Sequence, residues 1–173
     1  SLGSPAWHLL ARPVAIAGDS AGANLALSTA LTLRDAGEPL VDALVLAYGV
    51  YDSDLSRPSY DRYSRVPLPL TREKMAWFWD LYCPSRASRQ RGDAAPLRTH
   101  LDRLPPVRLI IAGLDVLLDE NRDLARRLER AGTDVTVDFY PQAPHAFLEA
   151  QAIAPVSERA LTRAALWLDQ YNR

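Results

Sequence analysis

The stretch VAIAGDSAGANLA, residues 14–26, constrains the fold more than any other part of this 173-residue chain. A run of small and β-branched apolar residues ends in Gly18-Asp19-Ser20-Ala21-Gly22, and an Ala- and Leu-rich run follows without a spacer. A strand that hands over to a helix this abruptly needs a tight, strained turn. Side chains two positions before and after the serine would collide there, so Gly18 and Gly22 are both expected to be obligatory. The serine hydroxyl then stands clear of the sheet at the N-terminus of a helix. The helix dipole and the Ala21 N–H favour negative charge at that point.

The rest of the chain repeats the same alternation. Residues 12–18 read as a buried strand and 20–37 as a helix stopped by Gly37. A second apolar strand is expected over 41–50, followed by an irregular, proline-interrupted segment over 51–70. Residues 71–83 read as a helix with Thr71 as N-cap and Glu73 just inside it. A polar connection over 84–106 leads to a third strand over 106–114. An amphipathic helix over 117–132, a fourth strand over 133–141 and a terminal helix over 154–173 complete the chain. Strands that alternate with helices, two of them almost wholly apolar, predict a mainly parallel sheet of about four strands flanked by helices, an α/β fold in a single domain.

Composition removes several function classes. The formal net charge is −1 and the basic residues are scattered, so no concentrated positive face exists for nucleic acid. No apolar run approaches the ~20 residues of a membrane span. Cys83 is the single cysteine, which excludes an internal disulfide and a cysteine-based metal cluster. Such cysteine usage is compatible with a reducing compartment, and a cytoplasmic setting is expected.

A serine hydroxyl becomes a nucleophile only when a base takes its proton and an acid orients that base. In open α/β sheets these groups belong just past the C-terminal ends of strands, in the chain order serine, acid, histidine. Of the three histidines, His8 precedes the turn and His100 lies in the polar connection. His145 comes four residues past the expected end of the last strand and is the candidate base. Asp115 directly follows the third strand and is the first candidate acid. Asp119 is the second, one turn later. Asp119 and Glu120 also read as first-turn acids favoured by the helix dipole. Asp138 alternates with apolar residues inside a strand and is expected to point away. The cluster Trp77, Phe78, Trp79 and Tyr82 reads either as the wall of a pocket or as the packed face of a helix. The segment Tyr48 to Asp52, just after the second strand, is expected near the acyl side of the site.

Together, GDSAGANLA, LDVLLDE and YPQAPHAF resemble the hormone-sensitive-lipase family of α/β-hydrolase esterases, with DAAPL…LPPVRLIIAGLDVLLDE similar to that family's run into its acid. The resemblance implies a carboxylesterase of short or medium acyl esters, with Ser20 as nucleophile, Asp115 as acid, His145 as base and the Ala21 N–H as an oxyanion donor. It implies no metal and no cofactor. Small departures occur at Ala23, Val116 and Ala146, where the family usually has glycine, proline and glycine. Ala146 is expected to crowd the histidine loop slightly.

A larger departure is that no His-Gly-Gly-Gly-type segment, which completes the family's oxyanion hole, occurs in this sequence. The chain therefore resembles the C-terminal half of such an enzyme, residues 1–173 forming a partial catalytic domain. The strand before Ser20, without its second neighbour, is expected to self-associate or to recruit a partner that supplies the other half. Two readings follow: an ester hydrolase impaired by the missing segment, or a hydrolase-fold module kept for binding or assembly. A thioesterase or peptidase on the same scaffold remains open as well.

Overall fold

Four strands pair in parallel in the order in which the chain makes them: β1 (Ala15–Asp19), β2 (Ala43–Ala47), β3 (Val107–Leu114) and β4 (Val135–Pro144). The computed structural model that shows them describes residues 13–38, 40–63 and 65–171. Among these residues the α-helices are α1 (Ala21–Ala36), α2 (Pro58–Tyr63), α3 (Arg72–Tyr82), α4 (Leu118–Arg130) and α5 (Pro155–Leu168). This is the α/β architecture expected from the alternation of patterns.

The two-residue period of the strands decides which helix covers which face. Leu44 and Leu46 of β2 and Leu109 and Ile111 of β3 pack with Leu27 and Leu31 of α1 and Leu124 and Leu128 of α4. Ala43, Val45, Ala47, Ile110 and Ala112 project the other way, against Ala160, Ala164 and Trp167 of α5. Both faces of β2 and β3 are covered, so every residue of β2 is buried and its sequence is apolar throughout. A third cluster joins Tyr60, Leu70, Met75 and Trp79 to Val116 and Leu117, just beyond the C-terminal end of β3.

The helix ends follow the local chemistry. Gly37 adopts φ 69° and ends α1, its N–H donating to the Arg34 carbonyl while the Glu38 N–H reaches Leu33. The Thr71 side chain accepts from the Lys74 N–H at 3.3 Å and opens α3.

Several expectations are corrected. β1 is not a buried strand. Among the described residues it pairs only with β2, and its residues alternate between exposed and half-buried. The position of an edge strand, not its composition, leaves it open. β2 is half as long as expected because the chain turns at Tyr48, which takes φ 35°. The segment 51–70 is not wholly irregular, since it contains α2. Ser59 anchors that helix, its Oγ donating to the Val116 carbonyl at 2.6 Å and its N–H to Asp119 Oδ2 at 2.7 Å. The terminal α-helix stops at Leu168 and tightens into a 3₁₀ turn over Asp169–Tyr171.

Candidate active site

Ser20 sits between β1 and α1 with φ 50° and ψ −118°, a left-handed conformation for a residue that carries a side chain. Such a geometry costs on the order of 1–3 kcal/mol and persists only when neighbours hold it. The Ser20 N–H donates to the Ala47 carbonyl at 2.9 Å, and its own carbonyl accepts from Val50 at 3.3 Å and Asn24 at 3.4 Å. A Cβ on Gly18 would lie 2.3 Å from the Gly22 carbonyl oxygen, so Gly18 is obligatory. The same expectation fails for Gly22. The nearest atom to a Cβ there is Asp19 Oδ1 at 3.9 Å, which leaves room for a methyl group. The crowding is one-sided because Gly18 lies beneath the first turn of α1.

The histidine arrives by a different route. β4 runs to Pro144, beyond the expected end at residue 141, so His145 follows the strand directly. The extension depends on Gly113. A Cβ there would lie 2.4 Å from the Pro141 carbonyl oxygen, and the pairing register slips between Ala112 and Leu114 before Leu114 meets Pro144. This close approach draws the histidine-bearing end of β4 onto the end of β3, where Asp115 sits.

Three of the expected residues therefore meet. Ser20 Oγ lies 2.9 Å from His145 Nε2, and His145 Nδ1 lies 2.7 Å from Asp115 Oδ2. The other Asp115 oxygen accepts from the Leu117 N–H at 3.0 Å, so both carboxylate oxygens are engaged. His145 is 8% exposed and Asp115 2%, so water competes little for these bonds. A carboxylate at Nδ1 favours the tautomer with its proton on that nitrogen, which turns the Nε2 lone pair toward the serine. The Ala21 N–H, the first of α1, has no acceptor among the described residues and lies at the positive end of the helix.

The remaining candidates lie elsewhere. Asp119 is committed to the Ser59 N–H. Asp138 is buried and pairs with Arg108 and with Arg163 at 2.9 Å, on the side of the sheet that α5 covers. His100 is exposed in the connection before β3. His8 lies outside the described residues. Glu120 departs from its reading as a helix-end acid, because it is fully buried and its Oε1 accepts from the Tyr51 N–H at 2.8 Å. Burial pushes its carboxyl well above the usual carboxylate range, only partly offset by the Tyr51 N–H and Arg57. Among the described residues no three His, Cys, Asp or Glu side chains converge as metal ligands.

The segment after β2, expected near the site, and Phe147, which was not singled out, complete the surroundings. The Tyr48 ring meets His145 edge-on at 5.1 Å and packs on Phe147 at 5.7 Å, and its hydroxyl donates to Asp19 Oδ2 at 3.4 Å. Burial and the Asp19 carboxylate raise the Tyr48 pKa, so the hydroxyl stays protonated. A cavity of about 800 Å³ opens over Ser20 and His145, with an apolar wall from α3. Both readings of the aromatic cluster hold: all four residues line the cavity, Trp77, Phe78 and Tyr82 as exposed side chains and Trp79 as one buried in the core. Val50 lines it too.

A hydroxyl, an imidazole and a buried carboxylate linked in this order at the C-terminal end of a parallel sheet define the class of α/β hydrolases. The family model described as the alpha/beta hydrolase fold matches residues 3–149, and the chain belongs to that family. It is 30% identical to an esterase of Gibberella moniliformis over 94% of this chain and 53% of that protein. It is 31% identical to the ethyl acetate hydrolase of Pseudomonas putida over 93% of this chain and 51% of that protein. The solved structure of a thermostable Pseudomonas putida esterase superposes with a TM-score of 0.87 at 33% identity, over 92% of this chain and 51% of that one. An esterase of the bacterial hormone-sensitive lipase family superposes with a TM-score of 0.86 at 29% identity, over 92% of this chain and 53% of that one. These four relatives carry esterase or ester-hydrolase names, one of them from the hormone-sensitive lipase family. The chain spans about half the length of the curated relatives it matches. No helix among the described residues is long and apolar enough to cross a membrane.

Proposed function

We propose that these residues form the part of a serine carboxylesterase that carries its nucleophile, base and acid, and that residues 1–173 are one partial catalytic domain. The observation that carries this reading is the pair of contacts at His145, 2.9 Å to Ser20 Oγ and 2.7 Å to Asp115 Oδ2. Ser20 attacks the ester carbonyl as His145 Nε2 takes its proton, and Asp115 stabilises the imidazolium. The Ala21 N–H supports the oxyanion at the N-terminus of α1. His145 then returns the proton to the leaving alcohol, which leaves an acyl group on Ser20. Water activated by His145 releases the acid in the second half of the cycle. The substrates are esters of short to medium acyl chains, in keeping with relatives that include an ethyl acetate hydrolase.

A single oxyanion donor among the described residues is a weak hole. Each missing donor costs about 10²–10³ in kcat. The 173-residue polypeptide assayed alone is therefore expected to be acylated by a reactive organophosphate but to turn over simple esters poorly. It is also expected to self-associate, or to take up a partner supplying further donors, because β1 is an edge strand and Trp77, Phe78 and Leu81 are exposed. The deciding experiment is labelling with paraoxon, with Ser20→Ala as control. The parent should form a stable adduct that the variant does not. Equal labelling of the two would remove Ser20 from the mechanism.

A further inference from the structure

The loop after β2 is tied down at every backbone polar group over three residues. The Gly49 N–H donates to Asn121 Oδ1 at 3.1 Å, and the Gly49 carbonyl accepts from Asn121 Nδ2 at 2.8 Å. The Val50 N–H donates to the Ser20 carbonyl at 3.3 Å, and the Val50 carbonyl accepts from Asn24 Nδ2 at 2.7 Å. The Tyr51 N–H donates to Glu120 Oε1 at 2.8 Å, and the Tyr51 carbonyl accepts from the Leu97 N–H at 3.0 Å. One set of partners, Ser20 and Asn24, belongs to the strained turn and the first turn of α1. Another, Glu120 and Asn121, belongs to the start of α4, which begins just after Asp115. Gly49–Tyr51 thus connects the serine-bearing turn to the element that follows the carboxylate.

Glu120 and Asn121 are not among the residues that line the cavity, and their side-chain hydrogen bonds go to the Gly49–Tyr51 segment and to Leu117, not to Ser20 or His145. Their cost is visible nonetheless. Glu120 is wholly buried, and its Oε2 has no hydrogen-bond partner among the described residues. A buried polar atom left unpaired is destabilising, and an apolar side chain of similar shape would remove that cost only by leaving the buried Tyr51 N–H without its acceptor. What the carboxyl supplies at this position is a fixed acceptor for the Tyr51 N–H. The left-handed Ser20 needs such support, because the turn relaxes unless its surroundings hold it.

We propose that Glu120 and Asn121 are positioning residues, which act through the Gly49–Tyr51 segment to hold Ser20 in register with His145 and Asp115. The proposal rests on the reading of Ser20 as the nucleophile. Neither side chain touches substrate. Their effect is on how often the serine hydroxyl occupies the attacking geometry, so it belongs to the acylation step and not to binding.

The test is the rate of Ser20 modification by a fluorophosphonate in the full-length protein, with the maximal rate and the half-saturating reagent concentration measured separately. Glu120→Gln keeps an acceptor for the Tyr51 N–H and should retain the parent's maximal rate within a factor of about two. Glu120→Met removes the acceptor at similar length and should lower that rate by about 10–100-fold, the penalty expected for a misplacement of an ångström or less, at unchanged half-saturation. Asn121→Asp keeps the acceptor for the Gly49 N–H but loses the donor to its carbonyl, and should fall in the same direction. Leu128→Ala, a cavity at the far end of the same helix, reports the effect of lost stability alone and should label at the parent's maximal rate. A folded Glu120→Met protein that labels like the parent overturns the proposal. So does an equal loss in Leu128→Ala, which would reduce Glu120 to a stability role. Labelling that persists in Ser20→Ala overturns the nucleophile assignment instead.

Discussion

His145 Nδ1 and Asp115 Oδ2 lie 2.7 Å apart although 30 residues of chain separate them. The pairing of β3 with β4 closes that gap, and the carboxylate is the acceptor that orients the ring. An amide at position 115 would present a donor to Nδ1 and favour the wrong tautomer. Asp115→Asn is expected to lower kcat by about 10⁴, the penalty seen for the same change in a serine protease. Asp119→Asn should leave kcat within a factor of a few and cost only about 1 kcal/mol of stability, because its bond is to the Ser59 N–H. Turnover of p-nitrophenyl acetate by the full-length variants checks this, and the reverse order would move the acid to Asp119.

Gly18 and Gly22 flank Ser20 symmetrically in sequence but not in space. Gly18→Ala forces a methyl against the Gly22 carbonyl oxygen, 2.3 Å away, and should destabilise by about 1–3 kcal/mol or more. Gly22→Ala meets nothing closer than 3.9 Å and replaces a poor helix former, so its stability should equal or exceed the parent's by up to about 1 kcal/mol. Urea unfolding midpoints separate the two, and a Gly22→Ala protein as unstable as Gly18→Ala would contradict the geometry.

Ala146 holds φ 61° beside the histidine, a conformation that costs a residue with a side chain about 1–2 kcal/mol. Glycine removes that strain but adds about 0.4–1 kcal/mol of freedom to the unfolded chain. The net expectation for Ala146→Gly is a stabilisation of roughly 0.5 kcal/mol, seen as a small rise in Tm. A fall in Tm would show that the methyl group has packing worth more than the strain.

Glu120 makes stability depend on pH in a defined direction. Below its ordinary value of 4.5 the carboxyl is protonated in both folded and unfolded chains and costs nothing. Above 4.5 the unfolded chain loses the proton while the buried group keeps it, since burial outweighs the Tyr51 N–H and Arg57, and Asp52 and Asp115 add to the shift. Stability from this group therefore falls as pH rises, by up to about 1.4 kcal/mol per pH unit until the buried carboxyl itself ionises. Glu120→Gln abolishes the dependence, so its advantage over the parent should grow between pH 5 and pH 8. Denaturant midpoints measured across that range test it, and a constant difference would mean that Glu120 is ionised in the fold.

Much of this protein is legible without coordinates because its signals are local. The strand–turn–helix around Ser20 follows from residues adjacent in sequence. The unbroken apolar runs over β2 and β3 report sheet faces covered on both sides, and Gly37 stops α1 through its own backbone freedom. The order of Ser20, Asp115 and His145 past the ends of strands nominates them as candidates. Tertiary structure decided the rest, because it depends on neighbours that no local pattern counts. The small apolar residues of β1 read as a buried strand, whereas among the described residues it pairs only with β2 and is exposed or half-buried throughout, the open edge expected of a strand without its second neighbour. Four aromatic residues in one helix do not say which face meets the core, and the structure buries Trp79 while exposing Trp77. Asp119 and Glu120 are adjacent acids at one helix start, yet packing against Ser59 and Tyr51 gives them different surroundings. The meeting of His145 with Asp115 depends on Gly113, where the lack of a side chain lets β4 cross close to β3 and shift register. Local steric rules are written residue by residue. Distances between groups far apart in the chain come from register and packing, and only the assembled sheet supplies those.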